Sequence, residues 1–197
     1  LNIMKIYFLR HEEREKDHVL FRSTLNENGR GRANESLKNF LGFLKPDLIY
    51  CSPFIRAMQT ITPYMKDFRK VDTFNVEYGI AETIHHQLFA NKVNQDFQHN
   101  ENDYLMFPIN RNYKSAFPPD KLKYCENELK LRERVKVFAT ELVRENFNSK
   151  KNILICSHRS TINMLINVLH DQKRGLEEEI KMGKVHIFEN GKLLTLN

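Results

Sequence analysis

Apolar residues in this chain come in two rhythms, short unbroken runs and stretches spaced three and four apart, and the two alternate. Met4 to Leu9 is an apolar, β-prone run that reads as a central strand. From Gly29 to Leu44 the residues Ala33, Leu37, Phe40, Leu41 and Leu44 share one helical face, with Asn26 as the cap before them. Pro46 closes that segment, and Leu48 to Cys51 forms the next strand. Ile55, Met58, Ile61 and Met65 mark a second amphipathic helix, and another short strand is expected near Thr73 to Val76. After an irregular stretch, Leu131, Val135, Phe138 and Leu142 line one face of a long helix. The strand Asn152 to Cys156 follows, then a helix on Ile162, Leu165, Ile166 and Leu169. Val185 to Phe188 and Lys192 to Leu196 are expected to form a hairpin turned at Asn190-Gly191. Strands that alternate with helices in this way predict an α/β fold with a largely parallel sheet.

Thr83 to Cys125 breaks the alternation. It is rich in Asn, Gln, His and Tyr and carries Pro108, Pro118 and Pro119, so it reads as an insertion or cap over the sheet. A length of 197 residues suits one domain, 1–197, with 83–125 as its specificity insertion. No run is long and apolar enough to cross a bilayer, and the apolar start is too short for a signal peptide. Cys51, Cys125 and Cys156 lack metal-type spacing, which favours a reduced, cytoplasmic setting. The net charge of +6 permits acidic or phosphorylated partners, but the basic residues are scattered. Gly29-Arg30-Gly31-Arg32 is too short to indicate nucleic acid, and aromatic residues do not interleave with basic ones as in a base-stacking surface.

Candidate chemistry gathers at strand ends. Arg10-His11 follows the first strand and His158-Arg159 follows the strand at Asn152 to Cys156. In an open α/β sheet such ends border the ligand crevice. Histidine is a competent nucleophile near neutral pH, and arginine meets two phosphate oxygens at once without losing its charge. His11 fits the nucleophile, Arg10 a cation and His158 a second group holding oxygens. Ser52-Pro53 turns the chain after Cys51, and Arg56 lies in the first turn of the next helix, a further anion-holding position. The acid should sit on a loop over the sheet: Glu82 is the candidate and Glu77 the fallback. Cys51 and Arg56 are separated by four residues without glycine, which disfavours a cysteine-dependent phosphatase loop.

Arg10-His11-Glu12, Leu25-Asn26-Glu27-Asn28-Gly29, Ser52-Pro53-Phe54-Ile55-Arg56-Ala57-Met58-Gln59-Thr60, Glu82 and Ser157-His158-Arg159 occur in this order along nearly the whole chain. In this ordered set the chain resembles the histidine phosphatase superfamily, also called phosphoglycerate mutase-like. The resemblance implies a three-layer sandwich, its mostly parallel central sheet flanked by helices, with an insertion over the active site. It implies that His11 is phosphorylated in turnover, that Arg10, Arg56 and His158 form the phosphate pocket, and that Glu82 is proton donor and then base. It also implies that no metal or other cofactor is needed, and that the partner is a small phosphorylated substrate or a phosphoprotein.

The glycine that follows each histidine in that family is replaced here, by Glu12 and by Arg159. A matched ion pair between them, rimming and narrowing the pocket with Arg159 touching substrate, is one expectation; two solvent-facing side chains is the other. The function this resemblance implies is a metal-independent phosphatase that hydrolyses phosphate monoesters through a phosphohistidine, and two rivals to it stay open. Arg111 to Ser115, followed by Pro118-Pro119, is faintly similar to the basic, proline-rich insertion of the mutases. The replaced glycines, in turn, are compatible with a phosphate-binding module of weakened turnover.

Overall fold

The computed structural model describes residues 4–15, 21–68, 73–84, 104–122, 125–146, 148–169, 181–189 and 192–196. Among these, six strands form one sheet in the order β3-β2-β4-β1-β5-β6. They are β1 (Lys5–Arg10), β2 (Leu48–Cys51), β3 (Asn75–Val76), β4 (Asn152–Ser157), β5 (Val185–Glu189) and β6 (Lys192–Thr195). β3, β2, β4 and β1 run parallel, while β5 is antiparallel to β1 and β6 to β5. The mostly parallel sheet expected from the alternation is present.

Helices cover both faces, which is why the central strands are apolar throughout rather than alternating. On one face lie α1 (Glu27–Arg32), a π-helical turn (Ala33–Leu37), α2 (Lys38–Leu44) and α3 (Ile55–Phe68). There Leu37, Leu41, Met58 and Ile61 pack on Tyr7, Leu9, Leu154 and Cys156. On the other face lie α4 (Glu128–Asn146) and α5 (Arg159–Leu169), whose Leu131, Val135, Phe138, Ile162 and Leu165 pack on Ile6, Phe8, Ile153 and Ile155. Alternate residues of β1 and β4 thus feed two separate cores, giving the three layers. No described helix is long and apolar enough to cross a membrane.

The helix expected over Gly29 to Leu44 starts two residues earlier and is not uniform. Asn26 caps it as expected, its Oδ1 accepting from the Gly29 N–H at 2.8 Å. Gly29 is obligatory here, because a Cβ would stand 2.1 Å from the Glu13 carbonyl oxygen. The π turn over Ala33–Leu37 is not legible in the apolar spacing, and Lys45 ends the run in the left-handed region at φ 50°. The expected strand near Thr73 shrinks to Asn75–Val76, since Phe74 pairs with Ile109 of the insertion instead. Of that insertion, residues 83, 84, 104–122 and 125 are described; the turn at Asn190-Gly191 lies outside the described residues.

Candidate active site

β1 and β4 are neighbours in register, from Lys5 opposite Asn152 to Arg10 opposite Ser157. Their carboxyl ends therefore open side by side, and the His11 N–H donates to the Ser157 carbonyl at 3.0 Å. This brings the rings of His11 and His158 to 5.0 Å between centroids, 147 positions apart in the chain. Both are buried, at 3% and 0% exposure.

The His11 ring is fixed by one bond. Its Nδ1 lies 2.6 Å from the backbone carbonyl of Glu12, an acceptor only, so Nδ1 carries the proton and donates. The lone pair is left on Nε2, which accepts from Nε of Arg56 at 3.3 Å. Burial first, then the Arg56 charge, holds the imidazole well below its ordinary 6.5. His11 thus presents a neutral, oriented ring nitrogen.

Arg56 is fully buried in the first turn of α3 and is the hub of the cluster. Besides His11, it donates from Nη1 to Ser23 Oγ at 3.4 Å and from Nη2 to Glu82 Oε2 at 3.3 Å. Its guanidinium carbon lies 4.6 Å above the centre of the Phe54 ring. Burial lowers its pKa to about 10, which still leaves it charged near neutral pH. His158 bridges to both remaining members of the cluster. Ser52 Oγ lies 2.8 Å from Nε2, and Nδ1 lies 3.1 Å from Glu82 Oε2. A carboxylate can only accept, so Nδ1–H donates to it and Nε2 accepts from the Ser52 hydroxyl. Burial lowers the His158 pKa to about 4 even with Glu82 opposing, so this ring is neutral too.

Glu82 sits where the loop after β3 comes down over the two histidines, with its side chain 14% exposed. Ser160 Oγ and the Thr83 N–H donate to its Oε1, each at 3.1 Å. Burial works to raise its pKa, but His158 and then Arg56 outweigh that and hold the carboxyl well below 4.5. Among the described residues, Glu82 is the carboxylate that meets Arg56 and His158 beside His11. Glu77, the fallback acid, is taken elsewhere. It is fully buried and accepts from Tyr113 Oη at 2.6 Å, Ser115 Oγ at 2.8 Å, and the Ala116 and Gly79 N–H groups at 2.8 and 2.6 Å. It anchors the insertion to the end of β3.

Arg10 is half-buried at the end of β1, and its pKa is lowered first by burial and then by the charge of Arg159. Arg159 opens α5 and is exposed. The ion pair expected between Arg159 and Glu12 does not form. Glu12 is only 2% exposed and pairs through Oε2 with Nε of Arg32 at 2.8 Å. Its carboxylate packs on Gly183, where a Cβ would come within 1.9 Å of Oε1 and where φ is +66°. Its N–H donates to Thr60 Oγ1 at 3.0 Å. Glu12 therefore ties the end of β1 to α1 and to the loop before β5, away from Arg159. The kinetic effects of Glu12→Gly and Arg159→Gly should accordingly multiply, to within about twofold, in a double-mutant cycle. Thermal melts of a Glu12→Gly and Arg32→Ala cycle should instead show coupling, because these two side chains do touch.

The structure brings Arg56, His11, His158 and Glu82 together, with Arg10 and Arg159 beside them. Ser23, Ser52 and Ser160 join this cluster without having been singled out. Ser52 stood in the quoted Ser-Pro motif, and its hydroxyl is what holds His158. A cavity of about 490 Å³ lies apart, lined by Tyr78, Tyr104, Arg111, Tyr113 and Lys114 among others, and by none of the clustered residues.

Donor atoms of His11, Glu82 and His158 lie within 4.8 Å of one another, a spacing compatible with a metal ion. Arg56 already stands 3.3 to 3.4 Å from each of them, however, so a cation there would meet a buried positive charge. Two arginines and two histidine rings around an open strand end suit a tetrahedral oxyanion better. Fold and site together define an α/β protein whose strand ends gather two arginines, two histidine rings and a carboxylate, with Nε2 of His11 facing Arg56.

Residues 6–189 match the histidine phosphatase superfamily (branch 1), and the chain belongs to that superfamily. None of the curated proteins matches it by sequence. Among solved structures, the ecdysone phosphate phosphatase of Bombix mori in complex with tungstate superposes with a TM-score of 0.72 at 14% identity, over 98% of this chain and 92% of that one. Phosphoserine phosphatase from Entamoeba histolytica, in complex with 3-phosphoglyceric acid, gives 0.63 at 19% identity over 99% and 96%. The protein histidine phosphatase SixA, complexed with tungstate, gives 0.57 at 14% over 98% and 94%. At these identities the likeness establishes the shared fold.

Proposed function

We propose that the protein hydrolyses phosphate monoesters without a metal, through a phosphohistidine on Nε2 of His11. The observation that carries this reading is the His11 ring itself: buried, neutral, its Nδ1 proton committed to the Glu12 carbonyl, and its Nε2 facing Arg56. A phosphoryl group in the pocket has its oxygens held by Arg10, Arg56 and His158. Nε2 then forms a bond to phosphorus as the bond to the ester oxygen breaks, and that oxygen leaves with a proton from Glu82. In the second half, a water gives its proton to the Glu82 carboxylate as its oxygen bonds phosphorus. The P–N bond breaks, inorganic phosphate departs and His11 is restored.

Beside Arg56 and His158 the Glu82 carboxyl is ionised and must gain a proton before it can give one. A monoester brings about −1.5 to −2 charges to the same cations. It competes with the carboxylate for Arg56 and His158, which removes the cause of the low pKa and lets Glu82 bind a proton from solvent or from the incoming monoanion. Superfamily membership and the phosphatase neighbours support the reaction class. Those neighbours are named an ecdysone phosphate phosphatase, a phosphoserine phosphatase and a protein histidine phosphatase, which supports a small phosphorylated substrate or a phosphoprotein.

The test is steady-state phosphate release from an aryl phosphate in excess chelator, with acid-quenched and base-quenched samples examined for phosphohistidine by 31P NMR. Release that persists in chelator, with a base-stable and acid-labile phosphoenzyme, is expected. Release that needs added metal would overturn the reading. Phosphoryl transfer to a hydroxyl acceptor in place of water would favour the mutase.

A further inference from the structure

Arg134 is a buried cation that the chemistry above does not use. It lies on α4, a helix whose face packs under the sheet, and is 1% exposed. Two of its nitrogens meet one carboxylate: Nε donates to Glu126 Oε1 at 2.8 Å and Nη2 to Glu126 Oε2 at 2.7 Å. That fork fixes the plane of the guanidinium. Its remaining N–H groups point at the loop that carries Glu82. Nη1 donates to the carbonyls of Gly79 at 2.9 Å and Ala81 at 3.1 Å, and Nη2 to the carbonyl of Glu82 itself at 3.3 Å. Glu126 grips the far side of the same loop, its N–H donating to the Ile84 carbonyl and its Oε2 accepting from the Ile84 N–H.

We propose that Arg134, locked by Glu126, is the positioning residue that holds the backbone of Gly79 to Ile84 so that the Glu82 carboxyl meets the leaving-group oxygen. A buried ion pair is a weak device for stability, because desolvating both charges consumes most of their attraction and apolar side chains of equal volume serve as well. What apolar packing cannot do is orient carbonyls. Gly79 to Ile84 is a 3-10 turn followed by irregular chain, with no ladder partner to set the direction of those carbonyls. Thr161 Oγ1 and Ser157 Oγ hold the Ala81 and Ile80 carbonyls from the side of β4 and α5. Arg134 supplies the opposing hold, and it alone of these reaches the carbonyl of Glu82. A displacement of about 1 Å at a catalytic group is enough to cost on the order of 100-fold in rate.

The proposal rests on Glu82 being the proton donor, and the experiment separates the two. Wild type, Glu82→Gln, Arg134→Lys and the charge-free pair Arg134→Met with Glu126→Leu are assayed on p-nitrophenyl phosphate and on β-glycerophosphate. The nitrophenolate leaves without a proton, whereas the alkoxide needs one. Glu82→Gln should lose alkyl-ester turnover much more than aryl-ester turnover. The Arg134 variants should reproduce that selective loss, about 10- to 100-fold on the alkyl ester and a few-fold on the aryl ester. A purely structural role would lower both esters by one factor, and that result in the Arg134 variants beside a selective Glu82→Gln overturns the proposal. A Glu82→Gln without selectivity overturns the acid assignment, and the proposal with it. Without turnover, the 15N shifts of His158, whose Nδ1–H bonds Glu82, provide the same readout: they should move in the Arg134 variants and stay unchanged in the core control Leu142→Ala. Failure of both Arg134 variants to fold would make the pair an element of the fold and overturn the proposal.

Discussion

Replacing His11 by alanine should abolish phosphate release, with kcat falling on the order of 10⁴- to 10⁶-fold, the scale seen when the nucleophile of a unit that acts together is removed. The prediction follows from geometry. His11 Nε2 is the lone pair that faces Arg56, and the other candidate nitrogens in the cluster are committed: His158 Nε2 to Ser52, His158 Nδ1 to Glu82. Among the described residues of the cluster, no other group is both neutral and oriented to accept phosphorus. The cations stay in place in His11→Ala, so a phosphate oxyanion should still bind, within about tenfold of wild type, since uniform binding does not need the nucleophile. Loss of turnover with retained phosphate binding, and with no phosphoenzyme in the quenched sample, is the expected triple result. More than a per cent of wild-type activity in His11→Ala would move the nucleophile elsewhere.

Part of this site was legible without coordinates because its members are local signals. His11 and His158 each end an apolar run, and parallel strands must open their carboxyl ends on the same side. Arg56 follows a Ser-Pro turn into a helix. What stayed hidden depends on pairing across the fold. The partner of Glu12 is Arg32, on an exposed helix end where an arginine carries no signal of its own, so the neighbouring Arg159 looked the better match. Glu82 ranks ahead of Glu77 in the sequence only through the order of motifs; the physical reason that Glu77 is taken elsewhere, the arrival of Tyr113 and Ser115 on its carboxylate, comes from the fold. Arg134 did leave a trace. It falls three positions after Leu131 and four before Phe138, inside the stripe that packs against the sheet, where an exposed cation has no place. The π turn at Ala33–Leu37 left none, since its apolar spacing is that of an ordinary helix.

The second large effect concerns Arg56, and its pH signature distinguishes the hub from a mere phosphate contact. Arg56→Met should lower kcat/KM on the order of 10³-fold, as expected when a buried cation aimed at developing charge is lost. The acid limb of the profile should move as well. kcat/KM reports the free enzyme, in which His11 must be neutral to attack. After burial, the Arg56 charge is the largest cause holding the His11 pKa below 6.5. In wild type, therefore, activity survives as pH falls through 6.5 and is lost only below it. Without Arg56 burial still opposes the pull of the Glu82 carboxylate on a His11 proton, but the largest opposing charge is gone, so the pKa rises and the loss sets in at higher pH. Arg56→Lys separates charge from geometry. An ammonium keeps the positive charge, so the acid limb should stay near its wild-type position. It cannot span Ser23, His11, Glu82 and a phosphate oxygen at once as the planar fork does, so the rate should remain depressed. If both variants lose rate while neither moves the limb, the low His11 pKa is set by burial alone and Arg56 acts only on the phosphoryl group.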